Sequence, residues 1–343
     1  MSPGLTLRRR RRPKTALVLG AGGVLGAAWM TGALPALQER MACAVNDADV
    51  IVGTSAGSVV AAALRCGVSI AEMIAHQRGE TVARFRDSGV PDLDEVADGP
   101  WPPRPRLLVG SPRLMLNTVL RPHRIHPVVG VSAWLPRGRG SHAGLHAMVD
   151  ALHRHAHRHP GPAAAPLPDW VGGGKTWIVA VDYDSGRRVV FGREGAPPAR
   201  LADAVAASCS VPGWYRPVVI GGRRYVDGGV RSTTSLGVVA RSGVDEVHVL
   251  APMASIEPGR TRKPHERLER RVRALATSAL LRDVHALRRL GMRVTVLTPG
   301  PEDLAAMGVN LMDPRRREQV LETSLRTSPA ALPGHGEDEP EAA

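Results

Sequence analysis

Ser55 is the residue of this sequence best suited to nucleophilic chemistry. It is the centre of Gly53-Thr-Ser-Ala-Gly57, a GxSxG run that follows the apolar stretch Asp49–Val52 and precedes a helix-like segment rich in small residues. This strand–turn–helix context predicts a strained turn that lifts the serine hydroxyl above the sheet, with glycines that relieve the crowding. The amide of Ala56, at the positive end of the next helix, would face a developing oxyanion. The pattern alone fits an ordinary strand-to-helix loop with a serine N-cap equally well.

A glycine-rich run, Gly20–Gly26, precedes this motif in the chain. It follows the apolar stretch Thr15–Leu19, a predicted buried strand, and we expect the run to be a turn that leads into a helix over 27–40. A dinucleotide-binding loop would need glycine where Leu25 stands, although a nucleotide-binding module remains an alternative. Backbone amides of such a loop can instead stabilise an anion. Because Ser55 follows the next strand, an oxyanion hole is the more economical role for this run.

Asp227 is the candidate general base. It ends a strand-like segment and is followed by Gly228 and Gly229, so its carboxylate could lie at the same sheet edge as Ser55. Alone the motif is weak, because Asp-Gly is a common turn. Since a carboxylate is a poor base for a hydroxyl in water, we expect Asp227 to lie in a poorly solvated cleft that raises its pKa.

Together the three motifs resemble those of the patatin-like phospholipase family, and the similarity covers residues 15–83 and 175–320. The segments that match beyond the motifs are 177–191 and 207–214. The resemblance implies an α/β protein with a three-layer α/β/α fold and a mainly parallel central sheet. It also implies hydrolysis of lipid esters through an acyl-enzyme, with Ser55 as the nucleophile and Asp227 as the base of a catalytic dyad. The loop residues that it assigns to the oxyanion hole are Gly22, Gly23 and Val24, which would act together with Ala56.

One position of the glycine loop departs from the family pattern. The family usually has Arg or Lys before the last glycine of the loop, where this chain has Leu25. The backbone donors of an oxyanion hole survive this change, whereas a positive charge beside the site is lost. The resemblance therefore gives little basis for a preference for anionic phospholipid head groups.

Other chemistries fit these residues less well. An acyltransferase would use the same serine, but the malonyl type also needs a histidine and an arginine, for which the sequence offers no placed candidates. A Ser–acid–His triad needs a later histidine. The histidines available for it lie in a predicted core strand, a charged helix or the C-terminal tail: His248, His265, His285 and His335. The alternating His/Arg segment 153–159 is more typical of a solvated face than of a metal site. We expect neither a metal nor another cofactor.

The secondary-structure patterns place the motifs in one domain, residues 15–325. The expected elements are hairpins over 176–191 and 218–227, core strands at 246–250 and 293–297, and a long helix over 265–290. A proline-rich insertion at about 84–170 interrupts the pattern, with amphipathic helices expected at 111–120 and 141–159. We interpret the insertion either as a lid over the site or as a variable surface excursion.

Composition and charge limit the remaining function classes. Hydrophobic residues make up 43% of the 343 residues, which is typical of a globular protein. Aromatic residues make up only 3%, so a specific nucleic-acid partner is not expected. The expected partner is a lipid or acyl-ester substrate, and the sequence does not predict an oligomeric state.

The two ends of the chain are predicted to be disordered tails. Residues 1–14 are basic, with a run of arginines at 8–12, and residues 326–343 are acidic. The basic tail could contact anionic lipid, although so short a run is more often a nonspecific surface feature. There is no secretory signal, no apolar run long enough to span a membrane and no cysteine spacing typical of disulfides. These features predict a cytoplasmic protein, with peripheral membrane contact as an additional expectation.

Overall fold

The computed structural model describes residues 12–88, 101, 103, 106–157, 169–256 and 264–332. Parts of the predicted insertion and most of both predicted tails lie outside these ranges. Within them, every helix is too short or too polar to cross a membrane.

Ten β-strands are present in the described residues. They are β1 (Thr15–Leu19), β2 (Val50–Thr54), β3 (Arg106–Val109), β4 (Pro136–Arg137), β5 (Lys175–Asp182), β6 (Arg188–Phe191), β7 (Val218–Ile220), β8 (Arg223–Asp227), β9 (Glu246–Leu250) and β10 (Arg293–Leu297). Eight of them form the central sheet in the order β10-β9-β1-β2-β5-β8-β7, with β6 paired to β5, while β3 and β4 pair separately. The predicted hairpins and core strands are confirmed.

The central sheet is parallel from β10 to β5 and antiparallel where β5 meets β6 and β8. In register, β1 lies between β2 and β9, so that Leu19 is opposite both Gly53 and Leu250. The carboxyl ends of β1, β2 and β9 therefore meet at one edge, where ligands bind in open α/β sheets. Asp227 reaches the same region from the antiparallel strand β8, where it pairs with Ala180 of β5.

Eleven α-helices accompany the strands in the described residues. They are α1 (Gly23–Arg40), α2 (Ala56–Arg65), α3 (Ile70–Gln77), α4 (Ala83–Ser88), α5 (Pro112–Leu120), α6 (Pro127–Ser132), α7 (Ala143–Ala156), α8 (Leu201–Ser208), α9 (Pro264–Arg289), α10 (Pro301–Met307) and α11 (Arg317–Ala331). Short 3₁₀ turns lie between several of them, including Gly228–Val230 directly after β8.

Strand β1 shows why this sheet needs a layer on each face. All five of its residues are buried, and successive side chains point to opposite faces. Leu17 and Leu19 belong to the core on one side, with helices α1, α2, α7 and α8. Ala16 and Val18 belong to the core on the other side, together with α9. The two cores make the three-layer α/β/α arrangement that the resemblance implied.

Two predicted boundaries are wrong. The glycine run was expected to remain a turn through Gly26, but α1 begins at Gly23. Only Gly23 needs the left-handed region, with φ of 62°, and the residues after it are helical. The acidic tail was expected from residue 326, but α11 continues to Ala331, and Leu332 is buried against the main core. The rest of that predicted tail, 333–343, lies outside the described residues.

The first predicted tail also contains a packed segment. The amide of Lys14 donates to the Asp245 carboxylate at 2.7 Å, and Arg12 forms an ion pair with Asp49 at 3.4 Å. Residues 12–14 thus lie against the domain, at the ends of β9 and β2 that are remote from Ser55. The arginine run before Arg12 lies outside the described residues.

The predicted insertion contributes structure to both the core and the surface. Helix α7 packs into the main core through its predicted apolar face: Leu145, Met148, Val149 and Leu152. Helices α5 and α6 form a smaller core with β5 and β8, which includes Leu114, Val129 and Tyr183. The described part of the insertion is therefore packed against the domain rather than loose.

Candidate active site

Ser55 occupies the single position between strand β2 and helix α2, and its backbone is strained. Its φ of 52° and ψ of −124° lie in a region that side-chain-bearing residues rarely adopt. Gly53 and Gly57 are required because neighbouring backbone atoms lie where a Cβ would be. A Cβ on Gly57 would lie 2.1 Å from the Leu19 carbonyl oxygen, and one on Gly53 would lie 2.5 Å from Ser58 Cα. The sequence pattern thus has a steric cause at both glycines.

Three hydrogen bonds hold the strained turn. Ser58 Oγ donates to the Ser55 carbonyl oxygen at 2.6 Å. The Ser55 amide donates to Ser208 Oγ at 2.9 Å, and Ser208 Oγ donates in turn to the Val179 carbonyl oxygen at 2.7 Å. Helix α2 is also tied to the glycine run, because the Gly57 amide donates to the Gly20 carbonyl oxygen at 3.1 Å.

Asp227 lies beside Ser55 at the end of β8 and is only 4% exposed. Its carboxylate accepts a hydrogen bond from the Gly229 amide at 2.7 Å, and the Ser55 side chain lies close enough to lower its pKa. Gly228 allows the turn to pass close to β5, since a Cβ there would lie 2.5 Å from the Val179 carbonyl oxygen. The amide of Asp227 donates to the Ser210 carbonyl oxygen at 2.9 Å.

Burial raises the pKa of Asp227 from its ordinary 3.8 to about 6, while the hydrogen bonds from Ser55 and Gly229 act in the opposite direction. Loss of water around the carboxylate penalises its charged form, and none of the groups that shift this pKa is a cation. A carboxylate with this pKa is a stronger base than an exposed one and is still deprotonated at neutral pH.

The glycine run places backbone amides next to the serine. Gly22, Gly23 and Val24 line the same cavity as Ser55 and Ala56. Helix α1 begins at Gly23, and its first hydrogen bond from i to i−4 joins the Gly26 amide to the Gly22 carbonyl oxygen at 2.8 Å. The amides of Gly23 and Val24 therefore precede the intrahelical ladder at the positive end of the helix.

Leu25 points away from this chemistry into the protein interior. It is fully buried in the main core, and its amide donates to the Leu311 carbonyl oxygen at 3.0 Å. The cavity lining lies wholly within the described part of the chain and includes neither lysine nor arginine. Positive charge beside the candidate nucleophile is thus missing here, in agreement with the departure seen in the sequence.

The cavity above Ser55 has a volume of about 480 Å³, within the range of small-molecule sites. Most of its wall is apolar, and the side chains come from the glycine run, α2, α7, the segment after α8 and the loop before α11. Examples are Val59, Leu145, Met148, Val211 and Leu311. A wall of this kind suits a hydrocarbon chain better than a polar ligand.

Three residues of the site were not identified from the sequence. Ser208 and Ser210 hold the backbones of Ser55 and Asp227, although they belong to the segment 207–214 that carried part of the resemblance. The third residue, His142, lines the cavity, stacks on Tyr215 at 4.1 Å between ring centroids and lies 3.0 Å from Ser210 Oγ through Nε2. His142 precedes Asp227 in the chain, so the order Ser, acid, His of a catalytic triad does not include it.

Of the histidines considered for a triad, the two whose side chains the structure describes do not line the cavity. His248 is buried within β9, and His285 is exposed on α9. The side chain of His265 and the whole of His335 lie outside the described residues. In the predicted metal-free segment 153–159, the rings of His153 and His157 are 4.5 Å apart. Among the described residues, no group of three His, Cys, Asp or Glu side chains is placed to hold a metal ion.

Comparison with known proteins identifies the family of this chain. Residues 17–239 match the family described as patatin-like phospholipase. Among solved structures, VipD from Legionella pneumophila is similar with a TM-score of 0.36 and 14% identity over 92% of this chain and 67% of that chain. The type III effector ExoU gives a TM-score of 0.38 and 15% identity over 94% of this chain and 53% of that one.

A second structure of ExoU, in its complex with SpcU from the type III secretion system of Pseudomonas aeruginosa, gives a TM-score of 0.35 and 20% identity. The chain thus spans about half the length of ExoU, with 53% of it covered. The assignment to a family rests on the sequence match, which covers well over half of the chain and includes the GxSxG and Asp-Gly-Gly motifs. The chain belongs to the patatin-like phospholipase family and has the patatin fold.

Proposed function

We propose that the protein is a serine acyl hydrolase that cleaves carboxylic esters of lipids through a Ser55–Asp227 dyad. The observation that carries the proposal is the Asp227 carboxylate, which is buried beside Ser55 in one cavity and has its pKa raised to about 6. Such a carboxylate can accept the hydroxyl proton without the help of a histidine.

The first half-reaction forms an acyl-enzyme. Asp227 takes the proton of Ser55 Oγ as the oxygen attacks the ester carbonyl carbon. The negative charge that develops on the carbonyl oxygen is stabilised by amides of Gly22, Gly23 and Val24 in the loop and of Ala56 in the elbow. When the tetrahedral intermediate collapses, Asp227 returns the proton to the departing alkoxide.

The second half-reaction releases the acid. Asp227 takes a proton from water, the water oxygen attacks the acyl carbonyl carbon, and the Ser55–acyl bond breaks as Ser55 recovers its proton. The strained elbow helps both steps, because it holds the oxygen of Ser55 in one position and costs no reorganisation during the reaction.

The substrate class follows from the cavity and the family. The apolar wall around Ser55 supports a fatty-acyl chain, and membership of a phospholipase family supports a lipid ester. The buried Leu25 supports recognition of the acyl part rather than of an anionic head group within the cavity.

The glycine run is better suited to an oxyanion than to a nucleotide. Two of its amides already have acceptors inside the protein, since Gly20 donates to Leu250 at 2.9 Å and Ala21 donates to Thr233 at 2.7 Å. A Cβ on Gly22 would lie 2.8 Å from Pro252 Cγ, so that proline fills the space beside the loop. Few backbone amides of the loop, and little space beside it, are therefore left to bind a diphosphate.

The test combines labelling by a fluorophosphonate with hydrolysis of a chromogenic fatty-acyl ester. Ser55→Ala should abolish labelling and lower turnover by at least about a thousandfold, whereas Asp227→Asn should abolish turnover in a folded protein. Measurement of the released fatty acid, with and without an added alcohol acceptor, separates hydrolysis from acyl transfer by the same acyl-enzyme.

Two matched variants control for damage to the fold. Ser235 shares with Ser55 a buried position and a φ of 52°, and Asp303 is a buried carboxylate at 2% exposure. Neither lines the cavity. Ser235→Ala and Asp303→Asn should therefore keep labelling and turnover. Full activity in Ser55→Ala, or in Asp227→Asn, would exclude the dyad.

A further inference from the structure

Exposed apolar side chains are concentrated on one part of the surface. Ten of the seventeen large hydrophobic residues that are exposed in the described part of the chain lie between Trp101 and Leu135. Single exposed apolar residues are normal, but a contiguous group of them marks an interaction site. The group lies in the predicted insertion, whose role the proposed function leaves open.

The two helices of this region each have a second apolar face. On α5, Leu116, Val119 and Leu120 follow the i, i+3, i+4 spacing of a single helix face, and all three are exposed. On α6, Val128 and Val131 repeat the pattern. We call these five residues, with Trp134 after α6, the apolar face.

The apolar face is not needed to hold the helices in place. Leu114 of α5, together with Val129 and Ala133 of the α6 segment, packs in the small core with β5 and β8. Gly130 of α6 lies against Thr118 of α5, where a Cβ would be 2.8 Å from the threonine methyl group. The helices thus form one rigid body, whose outward side remains apolar.

The segment of the chain that carries the apolar face has charged residues of one sign. Between Gly99 and Val149 the sequence has seven arginines and no acidic residue. The exposed ones on this part of the surface include Arg113, Arg121 and Arg124. Apolar side chains framed by arginine suit the interface of an anionic bilayer, where the aliphatic residues enter the acyl boundary and the guanidinium groups bind phosphates. Trp134 adds a ring of the kind that favours the membrane interface.

The same charge disfavours a second copy of the chain. In a two-fold dimer each patch would face itself, so the arginines would lie opposite arginines. A lipid surface brings the complementary charge and can receive all the apolar residues at once.

The helices that carry the apolar face lie beside the cavity. Helix α6 contacts the turn Gly228–Val230, and Val230 both packs against the small core of α5 and α6 and lines the cavity. The chain then runs from Trp134 through β4 to His142, which also lines the cavity. These contacts link the segment that carries the apolar face to the wall of the cavity.

We propose that the apolar face and its arginines bind the surface of an anionic phospholipid bilayer. Membrane binding does not require catalysis, but a benefit of this binding for turnover rests on the proposed function. Residues Leu120 and Arg121 carry the two contributions, apolar insertion and attraction to phosphate.

Vesicle flotation of the full chain tests the proposal. The vesicles are phosphatidylcholine alone or an equimolar mixture with phosphatidylglycerol. We expect binding to the mixed vesicles in ~0.1 M salt and a marked loss in ~1 M salt, because salt screens the arginines. Leu120→Ser should weaken binding about tenfold, from the loss of one inserted leucine. Arg121→Gln with Arg124→Gln should weaken it about fivefold for each charge removed.

Matched substitutions on helix α9 and at its end serve as controls. Leu290 is 61% exposed against 66% for Leu120, and Arg282 and Arg289 are exposed on the same helix. Leu290→Ser and the pair Arg282→Gln, Arg289→Gln should bind as the wild type does. None of the substituted residues lines the cavity, so hydrolysis of a water-soluble short-chain ester should be unchanged in all variants.

Three outcomes would overturn the inference. One is absence of flotation by the wild type with the mixed vesicles. Another is equal loss in Leu120→Ser and Leu290→Ser, or loss only when the arginines at 8–12 are replaced by glutamine. The third is a concentration-dependent dimer that Leu120→Ser dissociates. Loss of activity in Ser55→Ala with normal flotation keeps the two proposals separate.

Discussion

The hydroxyl oxygen of Ser208 accepts a hydrogen bond from the backbone amide of Ser55 at 2.9 Å, although the two residues are 153 positions apart in the chain. Ser208 lies at the end of α8, and its hydroxyl donates a hydrogen bond to the Val179 carbonyl oxygen of β5. The strained elbow is therefore held by a side chain from a distant part of the sequence. Two residues further on, the backbone carbonyl oxygen of Ser210 accepts a hydrogen bond from the Asp227 amide at 2.9 Å.

This relationship predicts that Ser208 is a positioning residue. Ser208→Ala leaves the buried amide of Ser55 without its acceptor, at a cost of about 1–3 kcal/mol. Because the turn is strained, we expect part of this cost to appear as movement of Ser55 and a fall in kcat of about tenfold to a hundredfold, with KM less affected. Steady-state kinetics with a fatty-acyl ester, together with thermal unfolding, measure both parts.

The hydroxyl of Ser324 gives a matched control. It is fully buried and donates to the Trp29 carbonyl oxygen at 2.8 Å, in the contact between α1 and α11. Ser324→Ala should lower the free energy of unfolding without a specific fall in kcat. If Ser208→Ala lowered stability and left kcat at the wild-type value, Ser208 would be a structural residue alone.

The raised pKa of Asp227 predicts the pH dependence of acylation. The base must be deprotonated, so kcat/KM should rise tenfold per pH unit below a pKa of about 6 and level off above it. The neighbouring ionisable groups titrate far from this range, because burial lowers the pKa of His142 to about 4 and raises that of Cys209 to about 12. An inflection near the ordinary 3.8 of an aspartate would contradict the desolvated base.

The same raised pKa makes the folded protein less stable as pH rises, whereas it makes kcat/KM increase with pH. Between 3.8 and about 6 the folded protein holds the Asp227 proton more tightly than the unfolded chain does. The contribution of this group is therefore lost as pH rises through that window, by roughly 3 kcal/mol for a shift of about two units. Asp227→Asn removes this loss, so the difference in unfolding free energy between variant and wild type should favour the variant increasingly from pH 4 to pH 7.

Much of the fold could be predicted from local pattern, whereas parts of the site could not. Strands such as β1 are apolar runs that end at glycine, because they are buried on both faces. Ser208 and Ser210 gave no local signal, because a serine near the end of a helix has the same sequence context whether or not its hydroxyl or its carbonyl oxygen holds a catalytic backbone. The helix start at Gly23 was missed because the glycine run has no polar N-cap, and its geometry depends on packing against Leu311.

Gly23 predicts how sensitive the oxyanion loop is to a single methyl group. It has a φ of 62°, and a Cβ there would lie 2.8 Å from the Leu311 carbonyl oxygen. Gly23→Ala should move the amides of Gly23 and Val24 away from the oxyanion and lower kcat by about a hundredfold or more. Binding of the acyl chain, which depends on the apolar wall, should change less.

Gly221 provides a control for the backbone effect alone. Its φ is 55°, but nothing lies within 4 Å of the position of a Cβ. Gly221→Ala should cost about 1 kcal/mol of stability from the left-handed backbone and leave the kinetics unchanged. Equal kinetic effects of the two substitutions would show that the loop does not act through the placement of its amides.

His142 allows the dyad to be separated from a histidine-assisted mechanism. Its Nε2 lies 3.0 Å from Ser210 Oγ, and Ser210 Oγ itself donates to the Ala206 carbonyl oxygen at 2.9 Å. The histidine is thus the donor in the first contact, and its low pKa keeps it neutral at the pH of turnover. Its ring is stacked on Tyr215, which makes it part of the cavity wall.

We therefore expect His142→Phe, which keeps an aromatic ring for the stack, to retain kcat within about tenfold and to keep the inflection near pH 6. The acyl-chain dependence of KM should change instead, because the substitution alters the wall of the cavity and not the base. A fall in kcat of about a thousandfold or more, as expected when a general base is removed, would make the imidazole a participant in the chemistry. Kinetics over a series of acyl-chain lengths, together with the rate of fluorophosphonate labelling, distinguish these outcomes, since labelling reports on Ser55 without requiring the release of an acid.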